Sequence, residues 1–367
     1  MNIAVPKERT PTEYRVGLPP VGIQQLTQLG NDCFVETGAG LGSGFVDDEF
    51  EAAGARIVYS GEEAFGRADM VVKVNRPTAQ ENAWLRPGQT LIGFLHLGAA
   101  HRKELAVFQE KEITAVALEE IRLPDGTFPV QRPLSQIGGR MAAQLAARLL
   151  QNDAGAKGVL LGGIPGVPPA EVVIIGAGVV GKNAALTFLG LGAQVTLLDT
   201  DLFRLQRMED WLPHLTRTVL SNPKTIGDAC SMADVVVGAV RCPGERPPIV
   251  LPRHLLRRMR PGVVFIDLSI DEGGCAETSR PTTHSDPTYI EEGVLHCCIP
   301  NLPGAVARTA TTASHNAAWP FIERMAKNGT ESALEQDEAI RAGVVFRRGE
   351  PSNGGVRRFA VMEGNPS

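Results

Sequence analysis

The string VVIIGAGVVG, residues 172–181, carries the most specific chemical pattern in the chain. An apolar strand runs into G-x-G-x-x-G, and each glycine answers a separate demand. Gly176 permits the tight turn, Gly178 lets the backbone approach a pyrophosphate, and Gly181 allows the next helix to pack closely on the strand. Ala177, Val179 and Val180 complete the loop, and the helix N-terminus turns its free N–H groups to the phosphates. A second strand ends in Leu198-Asp199, about 20 residues after Gly176, where an acid meets the adenine-ribose hydroxyls. Asp199 and Asp201 favour NAD over NADP, because a 2′-phosphate would meet negative charge; Arg204 is near enough in sequence to swing toward one.

Four more polar residues stand at strand or loop ends. Arg15, after Glu13-Tyr14, can hold a carboxylate by a bidentate pair, although spacing alone favours a surface arginine. His96 follows the apolar run LIGFL, so it stands where parallel sheets present ligand-binding groups. It can give or take a proton near neutrality, or serve only to bond backbone. Asp271 precedes Glu272-Gly273-Gly274 and can polarise a substrate, orient the histidine or cap a turn. Asn301, before Leu302-Pro303-Gly304, can meet a nicotinamide carboxamide or complete a turn. With the glycine loop, a strand-end histidine and aspartate point to hydride transfer coupled to proton transfer.

The elements that must position these groups alternate. Strands are expected at 3–5, 33–36, 70–74, 90–95 and 114–118, with helices at 19–30 and 47–55. A long helix is expected over 137–151, followed by a Gly/Pro-rich loop and a βαβ unit whose strands are 172–175 and 194–198. Further strands are expected at 235–239, 263–268 and 294–299, then a helix from 305 to about 327. Alternation of this kind makes an α/β fold with parallel, doubly wound sheets. The polar tail after Asn328, with Arg pairs at 347–348 and 357–358, reads as weakly ordered.

Composition bounds the rest. The 367 residues carry a formal charge of -5 and are 43% hydrophobic, which fits a globular chain of two or three domains and excludes wholesale disorder. An acidic balance does not suggest a nucleic-acid partner. No apolar run is long enough to span a membrane, and the charged opening lacks a signal-peptide core. The six cysteines show neither a disulfide framework nor metal-ligand spacing, so no metal site and a reducing, cytoplasmic setting are expected.

A wider set of ordered motifs resembles the alanine dehydrogenase family, related to the NAD-binding first domain of proton-translocating transhydrogenase. They are MNIAVPKERTPTEYRVGLPP, ETGAGLGSGF, FLHLGAA, PLSQIGGRMAAQ, GGIPGVPPAEVVIIGAGVVG, DLSIDEGGCAETSRPTTHSDPTY and NLPGAVARTAT. The resemblance implies two Rossmann-like domains with a cleft between them: a substrate domain of residues 1–133 plus 306–367, and an NAD-binding domain of residues 134–305. It implies reversible oxidative deamination of an L-amino acid to a 2-oxo acid and ammonia. By the same likeness, Arg15 matches the arginine that grips the substrate carboxylate, His96 the acid/base and Asp271 the active-site aspartate. Ser135, the loop Gly176 to Gly181, Asp199, Arg204, Leu268 and Asn301 match cofactor-contacting positions. It also implies a homo-oligomer, a hexamer as in the dehydrogenases or a dimer as in the transhydrogenase domain. Asn75 stands where the dehydrogenases carry a substrate-contacting lysine. That departure leaves open an altered substrate, or a non-catalytic NAD(H)-binding or transhydrogenase-like subunit.

Overall fold

The computed structural model describes residues 1–97, 102–242 and 246–352. Residues 98–100 of the FLHLGAA motif and the second Arg pair of the tail lie outside them. The chain forms two compact units: Met1–Leu134 with the chain from Gly304 onward, and Ser135–Pro303.

The strands, in chain order, are β1 (Asn2–Val5), β2 (Asp32–Glu36), β3 (Arg56–Val58), β4 (Met70–Asn75), β5 (Thr90–Phe94), β6 (Thr114–Ala117), β7 (Glu171–Ile175), β8 (Gln194–Asp199), β9 (Thr216–Leu220), β10 (Val235–Gly238), β11 (Val264–Asp267), β12 (Tyr289–Glu291), β13 (Val294–Cys297), β14 (Val344–Arg347) and β15 (Glu350–Pro351). Among the described residues, those of the first unit form one sheet in the order β15-β14-β6-β5-β4-β1-β2-β3. Its β1 to β6 pair in parallel, whereas β14 runs antiparallel to β6 and β15 to β14. Apolar side chains alternate between two buried faces, as strands covered on both sides require. Ile3, Val5, Met70 and Val72 pack with Ala318, Ile322 and Met325 of helix Ala307–Asn328, while Ala4, Val71 and Leu91 pack with Phe65 and Phe108. Strand order reverses between β1 and β4, and the ends of such strands are where open α/β sheets bind ligands.

The second unit repeats the plan. Its sheet runs β12-β13-β11-β10-β7-β8-β9, parallel except for β12, and the order reverses between β10 and β7. Val172 and Ile174 face Phe188, Ala142 and Ala146; Val173 and Ile175 face Ile226, Leu255 and Leu256. Gly139 brings two helices together, since a Cβ there would lie 2.3 Å from the Val180 carbonyl oxygen.

Two expectations need correction. The long helix begins at Gln131, not 137, and so includes Ser135. Pro133 is accommodated because it falls in the first turn, where backbone N–H groups have no intrahelical partner. The described part of the tail is ordered, with helices Thr330–Gln336 and Glu338–Gly343 followed by β14 and β15. Its polar residues are partners rather than a solvated run. Asp337 caps the second helix and pairs with Arg324, and Arg347 pairs with Glu331 at 2.7 Å. Leu334, Ile340 and Val344 to Phe346 are buried.

Candidate active site and nucleotide site

In the first unit, three sequence-predicted residues gather at the C-terminal ends of β1, β4 and β5. Arg15 lies in the loop after β1. Gly17 lets this loop press on β4, because a Cβ would fall 2.3 Å from the Val72 carbonyl oxygen. Ser43, in the ETGAGLGSGF motif, donates to the Tyr14 carbonyl and bonds Thr311, whose hydroxyl also accepts from the Val16 N–H. Motifs far apart in sequence thereby fix one arginine.

Glu13 is the hub of the cluster. Its carboxylate accepts from Arg15 Nε at 2.7 Å and Nη2 at 2.6 Å, and from Asn75 Nδ2 at 3.0 Å. Burial by itself would raise the Glu13 carboxyl. The hydrogen bonds and charge of Arg15, aided by Asn75, outweigh it and hold the group below the usual carboxylate range. Deeper in the strand, Lys73 is fully buried with Glu81 at 2.6 Å and Glu8 at 3.3 Å. Burial pushes the Glu8 carboxyl up, against the lowering effect of Lys73.

His96 leaves β5 in the left-handed region, with φ 44°. Such a backbone is strained for a non-glycine residue, and that strain persists only where the surroundings impose it. Here the buried Glu119 imposes it. Its Oε1 accepts from the His96 N–H at 2.6 Å and its Oε2 from the Leu95 N–H at 3.2 Å. On the other side Arg76 Nη1 donates to the His96 carbonyl at 3.3 Å. The imidazole itself is 58% exposed, with Nδ1 3.8 Å from Glu119. Held backbone and open ring suit a group that exchanges protons with a ligand.

In the second unit the glycine loop joins β7 to helix Val179–Gly190. A Cβ on Gly181 would lie 1.8 Å from the Gly176 carbonyl oxygen. Gly176 has φ +112°, and a Cβ there would lie 2.3 Å from the Ala239 carbonyl oxygen. Both glycines are therefore demanded by the protein itself. Gly178 is different, because a Cβ on it would meet nothing within 4 Å. It is the helix N-cap residue and supplies no side-chain cap, so it leaves an open approach to the helix N–H groups. An open space over an uncapped helix start fits a pyrophosphate. Asp199, at the end of β8, accepts from the Ala177 N–H at 2.7 Å and the Asp201 N–H at 2.8 Å. Arg204 lies 3.7 Å from Asp199 and 3.5 Å from Asp201, so its charge is shared between two acids.

The loop after β11 carries Leu268 and Asp271. Buried Asp267 folds it by accepting from the Ser269 and Cys275 N–H groups at 2.9 Å and the Ser279 hydroxyl at 2.5 Å. Asp271 is exposed, and its carboxylate accepts from the Asn301 N–H at 3.1 Å. Asn301 is also left-handed, with φ 51°. No cluster of metal-ligating side chains occurs among the described residues. Sequence reasoning missed Glu13, Arg76 and Glu119. Glu13 had one signal, its place two residues before Arg15; Glu119 had none, because it meets His96 only through the fold.

Residues 4–138 match the sequence profile for the alanine dehydrogenase/PNT N-terminal domain, and residues 142–353 that for the C-terminal domain. The chain is 44% identical to the alanine dehydrogenase of Halomonas elongata over 95% of its own length and 94% of that protein. It is 42% identical to the alanine dehydrogenase of Bacillus subtilis, over 100% and 97% of the two chains. A solved L-alanine dehydrogenase superposes with a TM-score of 0.95 at 41% identity, covering 99% of each chain. The transhydrogenase from Sinorhizobium meliloti superposes at 0.81 with 25% identity, covering 96% of this chain and 99% of that one.

Proposed function

This chain belongs to the alanine dehydrogenase/PNT family, and from that premise we propose that it is an NAD-dependent amino-acid dehydrogenase of the alanine dehydrogenase type. The reaction is L-amino acid, NAD and water to 2-oxo acid, ammonia and NADH, and its reverse. The observation that carries this reading is full-length similarity to alanine dehydrogenases, to which we add Arg15, His96 and Asp271 as the residues that carry the chemistry.

Arg15 binds the substrate carboxylate, and Asn75 assists as a neutral hydrogen-bond donor. NAD, when bound, supplies the hydride acceptor. Its pyrophosphate would be held at Gly176, Ala177, Gly178, Val179, Val180 and Gly181, and its adenine ribose at Asp199 beside Arg204. Ser135, Leu268 and Asn301 would complete the cofactor contacts. His96 takes a proton from the water that adds to the imino carbon and returns one as ammonia leaves. Asp271 supports the positive charge that develops.

The purified protein, NADH, ammonia and a panel of 2-oxo acids test the reading. NADH oxidation with pyruvate or a related acid is the expected result. NADH binding without turnover of any acid would contradict it and favour a non-catalytic nucleotide-binding subunit. No helix among the described residues is long and apolar enough to cross a membrane. We place the enzyme in the cytoplasm as a homo-oligomer, a hexamer in preference to a dimer. The exposed apolar Leu160, Ile164 and Val167 offer surface for subunit contact.

A further inference from the structure

The strand that presents Asn75 is irregular just before it. β4 pairs with β5 in regular register from Met70 opposite Thr90 to Val72 opposite Ile92, but the next partners are Asn75 and Phe94. Lys73 and Val74 therefore stand together opposite Gly93. Such a bulge bends the strand and re-aims the side chain beyond it. Gly93 makes room for it, since a Cβ there would lie 3.1 Å from the Lys73 carbonyl oxygen and 3.3 Å from that of Val74.

A bulge leaves backbone groups outside the ladder, and a buried N–H without an acceptor is costly. On the other side of β4, register with β1 ends at Ala4 opposite Val71. The Val74 N–H is taken instead by a side chain from the loop after β1. Buried Glu8 accepts it through Oε1 at 2.7 Å. The second oxygen of Glu8 lies 3.3 Å from Lys73 Nζ, which Glu81 holds at 2.6 Å. A carboxylate thus completes the strand from the side, and a buried ammonium offsets its charge. One residue beyond this anchored N–H, Asn75 Nδ2 donates to Glu13 at 3.0 Å, and Glu13 holds Arg15 at two points.

We infer that Glu8 is a positioning residue for substrate binding: by holding the β4 bulge it aims Asn75 at Glu13 and keeps the Asn75–Glu13–Arg15 chain set for a substrate carboxylate. This rests on the dehydrogenase reading above. Glu8 acts through the backbone of Val74 and does not itself touch the substrate. The role asks first for an acceptor at the reach of a glutamate and only second for a charge. Two substitutions separate these demands. Glu8→Gln keeps the acceptor and removes the charge, whereas Glu8→Asp keeps the charge and withdraws the acceptor by one methylene.

The test compares full-length wild type, Glu8→Asp and Glu8→Gln in reductive amination with pyruvate. Glu8→Asp is expected to raise KM for pyruvate roughly tenfold, as when a buried N–H loses its partner, and Glu8→Gln by no more than about threefold. KM for NADH stays at the wild-type value in both. The opposite order, or a lowered melting temperature with KM for pyruvate unchanged, would overturn the proposal and leave Glu8 as an ion-pair partner of Lys73. A double-mutant cycle asks whether Glu8 acts through Asn75. In an Asn75→Ala background the effect of Glu8→Asp is expected to shrink to about twofold or less, and an undiminished effect would overturn the proposal. A crystal structure of Glu8→Asp reads the placement without turnover. Asn75 displaced from Glu13 would support the role of Glu8, and an unchanged Asn75–Glu13 bond would overturn it. Inactivity of a wild type that binds NADH would sink the dehydrogenase reading separately.

Discussion

Each unit has one place where strand order reverses at the sheet's centre, between β1 and β4 in the first and between β10 and β7 in the second, yet one is lined with charge and the other with glycine. In the second unit the ligand surface is backbone. Gly176 and Gly181 are fixed by carbonyl oxygens of the protein, and of the three glycines of the motif Gly178 alone faces open space. In the first unit the surface is a set of side chains whose own pairs hold them: Arg15 on Glu13, Asn75 on Glu13, and the backbone of His96 between Glu119 and Arg76. The contrast teaches that one topology can line its strand ends with backbone or with paired side chains, which the proposed function uses as a phosphate cradle and a proton-transfer site. The difference lies in the residues at the strand ends, not in the fold.

If the division is real, substitutions on one side should leave the other intact. The largest effect is expected from His96→Ala. Loss of a general acid/base lowers kcat about 10²–10⁴-fold, while NADH affinity, read by fluorescence titration, stays at the wild-type value. Weakened NADH binding would break the division. Gly181→Ala should do the reverse and more. Forcing a Cβ against the Gly176 carbonyl costs about 1–3 kcal/mol or more in overpacking, so melting temperature and NADH affinity should fall together.

Gly178→Ala separates fold from ligand. Nothing in the protein meets the added methyl, so the melting temperature should hold while NADH binds about tenfold more weakly, since the backbone can no longer approach the pyrophosphate. A fully functional Gly178→Ala would mean the loop does not cradle phosphate. Glu119→Gln keeps one acceptor for two N–H groups. It is expected to lower kcat about tenfold, with NADH affinity unchanged, because the imidazole loses its fixed backbone.

The last effect lies away from both sites, is confined to acid pH and leaves activity near neutrality untouched. Burial pushes the His315 imidazole down to about 4, from an ordinary value of 6.5. A depressed histidine contributes stability that is fully present above about pH 6.5 and is lost as pH falls toward 4. His315→Gln should therefore flatten the melting-temperature profile of the protein over that window, by on the order of 2–3 kcal/mol at its acid end. An unchanged slope would assign the acid sensitivity elsewhere.

The contrast between the sites also explains what could be read in the sequence. The glycine loop is legible because close backbone packing demands glycine by type at fixed spacing, between two strands whose ends are marked by apolar runs and Asp199. The parallel sheets are legible for a similar reason: strands buried on both faces are unbroken runs such as MVVKV and VVII. Arg15, His96 and Asp271 stand out as polar residues at strand ends, but their roles came only with the family resemblance. Glu119 and Arg76 could not be read, because the fold alone brings them to His96. The tail misled for a physical reason too. Its apolar residues are few and in short runs, yet Val344 and Phe346 pair with β6, and Glu331 takes Arg347 and Arg348, the first of the arginine pairs that made it look solvated.

The central claim, that the charged site performs chemistry on an amino acid with the glycine-built site holding the cofactor, meets its most direct test in one assay. NAD reduction by purified wild-type protein is followed with L-alanine as substrate, beside His96→Ala under the same conditions with cofactor binding measured in both. The account predicts L-alanine-dependent NADH formation by the wild type, a rate about a hundredfold or more lower from His96→Ala, and equal NAD affinity in the two. Full activity in His96→Ala, or no turnover by a wild type that binds NAD, would contradict it.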